Sequence, residues 1–248
     1  MKIKILYEDK DVLVIDKPSG VLTHPDRRSG EETILDWAIK KYKKAELVHR
    51  LDKETSGAML LAKNQKAHDF LKNQFKDRQV KKIYHAIVSG SMKNDYGIIN
   101  KPIGRSPTDF RRRLSGRGAR GEMREAITEY KVLKRFTASS CKNFSFCALP
   151  VTKKKTGGTL GDKNSYKPLP FTYLEIKPKT GRTHQIRVHM KFLNHPVACD
   201  SLYNPKGACP KGFSRLALHA KSIEFKNLKG KTIKVESPIP VEFKKACP

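Results

Sequence analysis

The chain has 248 residues, and its 52 lysines and arginines outweigh 24 aspartates and glutamates to leave a net charge of +28. Such an excess argues for a polyanionic partner, because clustered cations concentrate a phosphate polymer and speed its arrival. Apolar residues make up 38%, too much patterned hydrophobicity for a disordered basic tail. No apolar run approaches the ~20 residues of a bilayer span, and Met1 to Asp9 interleave charges too early for a signal peptide.

Taken in chain order, Ile3 to Ile15 alternate and then run apolar, which predicts a strand broken at Lys17-Pro18-Ser19-Gly20. Helical spacing behind a Thr33 cap predicts a helix to Tyr42. Ala58 to Ala62 read as a buried strand, and Asn64 as the cap of a second helix carrying Ala67, Phe70, Leu71, Gln74 and Phe75. Further strands are expected at Lys82 to Val88, Ala126 to Leu133, Asn143 to Leu149, Phe171 to Ile176 and Leu218 to Phe225. A helix is expected from His184 to Leu193, with Ile186, Met190 and Leu193 on one side. Residues 101–124 and 151–170 read as basic loops, either solvated or gripping RNA; Arg111, Arg112 and Arg113 beside Phe110 favour the grip. Strands dominate, so the fold class is α+β on a largely antiparallel sheet.

Five cysteines, odd in number and without a close pair, predict free thiols and a cytoplasmic protein. His184 and His189 stand five apart, about 140° around a helix, and so do not form an i, i+4 zinc pair. His195, Cys199 and Cys209 are too irregularly spaced for a metal site, and no phosphate-binding glycine loop or dinucleotide fingerprint occurs. Neither metal nor cofactor is expected.

The stretch richest in chemistry is His49-Arg50-Leu51-Asp52-Lys53-Glu54-Thr55-Ser56-Gly57. Asp, Thr, Ser and Gly are ordinary turn formers, and Asp52 could simply bond its own backbone. A carboxylate between Arg50 and Lys53 should also stay ionised, which suits a nucleophile toward an electrophilic sugar carbon. The residues themselves leave both readings open.

This stretch resembles the signature of the RluA-type pseudouridine synthases, and the likeness runs along most of the chain. Val12 to Gly20 resemble that family's opening strand and turn, Lys82-Ile83-Tyr84-His85-Ala86 its tyrosine motif, and Thr180 to His189 its third motif. Arg215 to Ala220 are similar to the segment that follows. The resemblance implies a pseudouridine synthase fold, a curved mixed sheet flanked by helices and loops around a basic cleft. Residues 1–248 are then a single catalytic domain without the amino-terminal S4-like domain of many relatives. It implies Asp52 as nucleophile, Tyr84 stacking on the target base and Arg187 pairing with the aspartate. Arg50 would enter the duplex, Leu216 would pack on the base, and His49 and Arg182 within the motifs would join Arg111, Arg112 and Arg113 in binding RNA. Without the likeness, Tyr84 is a half-buried strand tyrosine and Leu216 a core leucine. His195 to Tyr203 resemble a block that usually has glycine, the residue of positive φ, where Cys199 stands.

The function implied is isomerisation of uridine to pseudouridine in structured ribosomal or transfer RNA by a cytoplasmic monomer, without a cofactor. A non-catalytic RNA-binding or ribosome-assembly protein of the same fold is the alternative. A nuclease is disfavoured by the lack of clustered carboxylates for paired metals.

Overall fold

The computed structural model describes residues 1–25, 30–116, 118–141 and 168–247. In chain order the strands are β1 (Lys4–Glu8), β2 (Val12–Lys17), β3 (Glu46–Leu47), β4 (Ser56–Ala62), β5 (Lys81–Ser89), β6 (Tyr96–Asn100), β7 (Ile103–Arg105), β8 (Arg113–Ser115), β9 (Arg120–Arg124), β10 (Ile127–Cys141), β11 (Pro168–Pro178), β12 (Cys209–Pro210), β13 (Leu218–Lys226) and β14 (Thr232–Glu236). The helices are α1 (Ile34–Lys41), α2 (Gln65–Lys76), α3 (Gln185–Phe192) and α4 (Val241–Ala246). An 11-stranded sheet runs β1-β2-β4-β13-β5-β11-β10-β12, with β14 on β13, β3 on β4 and β6 on β10. Its pairings are antiparallel except β13 on β4, where His219 lies opposite Ser56. This is the mixed, mostly antiparallel α+β architecture expected.

β4 is buried along its whole length, because β2 and β13 flank it and apolar clusters cover both faces. Burial on both sides explains why it reads as a continuous apolar run without alternation. Both early helices start where their caps predict. Thr33 and Asp36 form a reciprocal capping box on α1, and Asn64 Oδ1 accepts from the Ala67 N–H on α2.

Four expectations are corrected. The segment Ile3 to Ile15 is two strands, since Asp9 turns the chain by accepting from the Asp11 and Val12 N–H groups and β1 folds back onto β2. Residues 101–124 are not a loop: β8, β7 and β9 form a separate three-stranded antiparallel sheet. α3 does not bury one face only, for Gln185 to Met190 are all buried. It is held to β10 by Gln185, which donates to Ile127 O and Thr128 Oγ1, and by His189, whose Nδ1 shares a hydrogen with Thr128 Oγ1 at 2.8 Å. Finally, Cys199 and Cys209, which form no close pair in sequence, meet in the fold, where both are buried in one apolar cluster with their sulfurs in contact. The expected strand at Asn143 to Leu149 and most of the 151–170 loop lie outside the described residues. Among the described residues, no helix is long and apolar enough to cross a membrane.

Candidate active site

The aspartate turn is built by the strand that precedes it in sequence. Lys17, fully buried at the end of β2, donates through Nζ to Pro18 O, Lys53 O and Thr55 O at 2.9, 3.0 and 2.8 Å. Its neighbours add three more bonds, from Ser19 Oγ to Glu54 O, from the Gly20 N–H to Lys53 O, and from Thr23 Oγ1 to Leu51 O. Nearly every carbonyl of residues 51–55 is therefore held, and the Asp52 side chain is aimed by its backbone. Burial pulls the Lys17 ammonium down to about 7, against which Asp52 acts to keep it charged. Gly57, at φ +113, then lets the chain enter β4, since a Cβ there would collide with the Ala220 backbone of β13.

Asp52 faces Arg187, which α3 presents from the other side of the cleft. Their nearest atoms, Oδ2 and Nη1, are 3.7 Å apart. The arginine is bound more tightly by a residue that sequence reasoning missed. Arg187 Nε and Nη2 donate to the two oxygens of Asp200, both at 2.7 Å, in a bidentate pair. Nη2 also reaches Glu54 Oε2 at 3.4 Å. Asp200 is completely buried and accepts from the Leu202 and Tyr203 N–H groups as well. Burial works against the Arg187 charge, but the Asp200 bond and the charges of Asp200, Asp52 and Glu54 outweigh it and raise its pKa. The one sequence hint was the block containing Cys199, and Cys199 does adopt φ +58, the left-handed conformation glycine would take.

A second missed residue is His184. Its Nε2 lies 3.9 Å from Asp52 Oδ1, while Nδ1 and Tyr203 Oη are hydrogen-bonded at 3.0 Å. Burial lowers its pKa, followed by opposing effects of Asp52, which raises it, and Arg187, which lowers it. At φ +56 it caps α3 in a conformation unusual for a residue with a side chain.

Asp52, Tyr84, Arg187 and His184 line one cleft of about 570 Å³, which also takes in His49, Arg50, Thr55, Lys82, Arg182 and Leu218. That volume suits a nucleotide-sized ligand. Burial, then the Asp52 charge, raises the Tyr84 phenol well above its ordinary value, so it is a neutral donor. His49 lies in the wall rather than projecting freely: Nε2 accepts from the Leu60 N–H at 2.9 Å and the ring stacks on Phe75. Burial and the Lys82 charge push it down to about 3. Thr55 Oγ1 is buried with no hydrogen-bond partner among the described residues. Arg50 is exposed at the cleft, and Arg182 donates to Glu125 O from its rim. Leu216 sits in the apolar core, while Leu218, two residues on, forms part of the cleft wall.

Arg111, Arg112 and Arg113 lie outside this cleft, at the β8 turn of the small sheet. Arg111 pairs with Asp109 at 2.9 Å and Arg112 approaches the same carboxylate at 3.6 Å. The turn is tied to the site, because the Arg113 N–H donates to Tyr203 Oη, the hydroxyl that also holds His184. Phe110 stands exposed at its tip.

Comparison with known proteins identifies a family. Residues 11–192 match the family described as RNA pseudouridylate synthase. An uncharacterised RNA pseudouridine synthase of Aquifex aeolicus is 37% identical, over 83% of this chain and 57% of its own length. A second such protein, from Bacillus subtilis, is 34% identical over 99% of this chain and 72% of its own. The ribosomal large subunit pseudouridine synthase D of Xanthomonas campestris is 34% identical over 98% of this chain and 68% of its own length. The solved structure of human RNA pseudouridylate synthase domain containing 1 superposes with a TM-score of 0.73 at 25% identity, covering 96% of this chain and 84% of that one. With the strand order, the cleft and these likenesses in agreement, the chain belongs to the RNA pseudouridylate synthase family.

Proposed function

We propose that the protein converts uridine to pseudouridine in structured RNA, ribosomal or transfer, acting as a cytoplasmic monomer through a single catalytic domain. The observation that carries this reading is a rigidly held, arginine-faced carboxylate sharing a nucleotide-sized cleft with a neutral tyrosine. Ribosomal RNA is the first substrate to test, because several similar proteins are named for the ribosomal large subunit.

The reaction is an isomerisation. The bond from ribose C1′ to uracil N1 breaks, the base turns, C1′ joins C5, the C5 proton leaves and N1 gains one. Atoms and electrons balance without a cofactor. Asp52 attacks or stabilises the sugar carbon, and Arg187 holds the carboxylate aimed. Tyr84 stacks on the extruded base, with Leu218 as the apolar wall at its side. Arg50 and Arg182 at the mouth, with Arg111, Arg112 and Arg113 on the small sheet, hold the surrounding RNA, while His49 supports the wall from which Asp52 projects.

The test is chemical mapping of pseudouridine in RNA from cells lacking the protein, before and after incubation with it. A new site is expected with wild-type protein and none with Asp52→Asn, although the variant still binds. Tight binding by both proteins with no new site would overturn the enzymatic reading and favour the non-catalytic RNA-binding one.

A further inference from the structure

Tyr84 has a charged companion on its own strand face. Lys82 precedes it by two residues on β5, so both side chains point to the same side, about 7 Å apart along the strand. Both line the cleft. The ammonium reaches across toward the turn after β11, for a Cβ on Gly181 would lie 3.8 Å from Lys82 Nζ. On its near side it lies 5.8 Å from the centre of the Phe75 ring.

What Lys82 lacks is an anion. Among the described residues, no carboxylate comes within 4.0 Å of its Nζ and no acceptor bonds it. The carboxylates of the surrounding elements are taken by other cations. Glu125 pairs with Arg78, Glu129 with Lys179, and Glu224 with the neighbouring Lys81. Burial meanwhile lowers the Lys82 pKa. A half-buried ammonium with no protein acceptor is only partly solvated in the free protein, and an anionic ligand relieves it. Arg187, by contrast, has its opposition built in with Asp200.

We infer that Lys82 is the subsite for one backbone phosphate of the RNA strand, next to the nucleotide that enters the cleft. This rests on the reading of the cleft as a uridine site. Phosphates are the only anionic groups an RNA strand offers, and their capture beside Tyr84 fixes how deep the base is drawn in. Lys82 is thereby a substrate-positioning cation distinct from the Asp52, Arg187 and Asp200 cluster.

The experiment uses a short RNA spanning the uridine that wild-type protein converts, made with a single neutral methylphosphonate linkage at each position near the target in turn. Lys82→Met keeps length and removes charge, and Lys82→Arg keeps charge. Lys82→Met is expected to lose roughly tenfold in kcat/KM at ~0.1 M salt, the worth of one charge-assisted bond. Its slope of log kcat/KM against log salt should shrink by about one, while Lys82→Arg preserves the slope. At one linkage the neutral substitution should slow wild type by the same factor and Lys82→Met no further, a coupling only contacting groups give. The thermal midpoint of Lys82→Met should match or exceed wild type, since an unpaired half-buried charge has been removed. Unchanged kcat/KM would overturn the subsite, as would a loss with no change of slope and no coupled linkage, which would place Lys82 on the base. Absence of pseudouridine with wild-type protein would instead remove the uridine reading, and the subsite with it; turnover by wild type undiminished in Lys82→Met would remove the subsite alone.

Discussion

Asp200 gives the site its stiffness at the scale of single residues. A lone arginine 3.7 Å from Asp52 could swing among several acceptors, but the bidentate grip of Asp200 fixes the guanidinium plane and leaves Nη1 turned to Asp52. Asp200→Asn keeps the shape and removes half of the charge-assisted bonding, so Arg187 should wander and Asp52 lose its aim. The expected result is a fall in kcat of roughly 10- to 100-fold with KM little changed, since the interaction matters most as charge develops. Arg187→Lys should fall at least as far, because a point charge cannot span both carboxylates. Combined, the two substitutions should be no worse than the poorer single one, as members of one unit are not additive. Multiplicative losses measured in that cycle would show that Asp200 acts on something other than Arg187.

Elements differ in how much of them was legible in the sequence. Capped helices and long apolar strands were readable because their signals are local: Thr33 and Asn64 announce α1 and α2, and β4 is a bare apolar run. The small sheet was not, since β8 and β9 contain more arginine than apolar residues and pair only with β7. Asp52, Tyr84 and Arg187 came through their motifs, yet Asp200, which is 13 residues beyond Arg187, becomes its partner only once α3 and the following turn are folded. Lys82 was similarly visible as part of a motif, whereas its lack of an anion is a property of the assembled cleft. The small sheet also makes the RNA-binding role of its arginines testable at the element scale. Its β8 turn is tied to Tyr203 Oη by the Arg113 N–H, and Arg111 is already neutralised in part by Asp109. Replacing Arg111, Arg112 and Arg113 together by Ala should therefore lower the slope of log affinity against log salt by fewer than three contacts' worth, about one to two. A slope identical to wild type would mean that this turn stays in solvent when RNA binds.

Across the whole molecule, charge and burial set opposite limits on the conditions the protein tolerates. A net charge of +28 favours RNA at low salt, but protonating further groups adds to self-repulsion. Two histidines add a specific acid liability. His219, almost wholly buried on β13, shares a hydrogen with Ser56 Oγ at 2.9 Å. Burial, then the charge of Arg215, pushes it down to about 3, and His49 is pushed equally low by burial and Lys82. Folded, both are neutral; unfolded, each takes up a proton below about 6.5. Because the unfolded chain binds more protons between pH 6.5 and 3, stability must rise with pH in that window and fall as acid is added. For His219 the slope is about 1 kcal/mol per pH unit. Denaturant melts of wild type should lose stability steadily from pH 6.5 to 5, and His219→Gln, which cannot titrate, should flatten that decline. An equal decline in both proteins would trace the acid sensitivity to other groups, His49 among them, and not to the buried imidazole that joins β13 to β4.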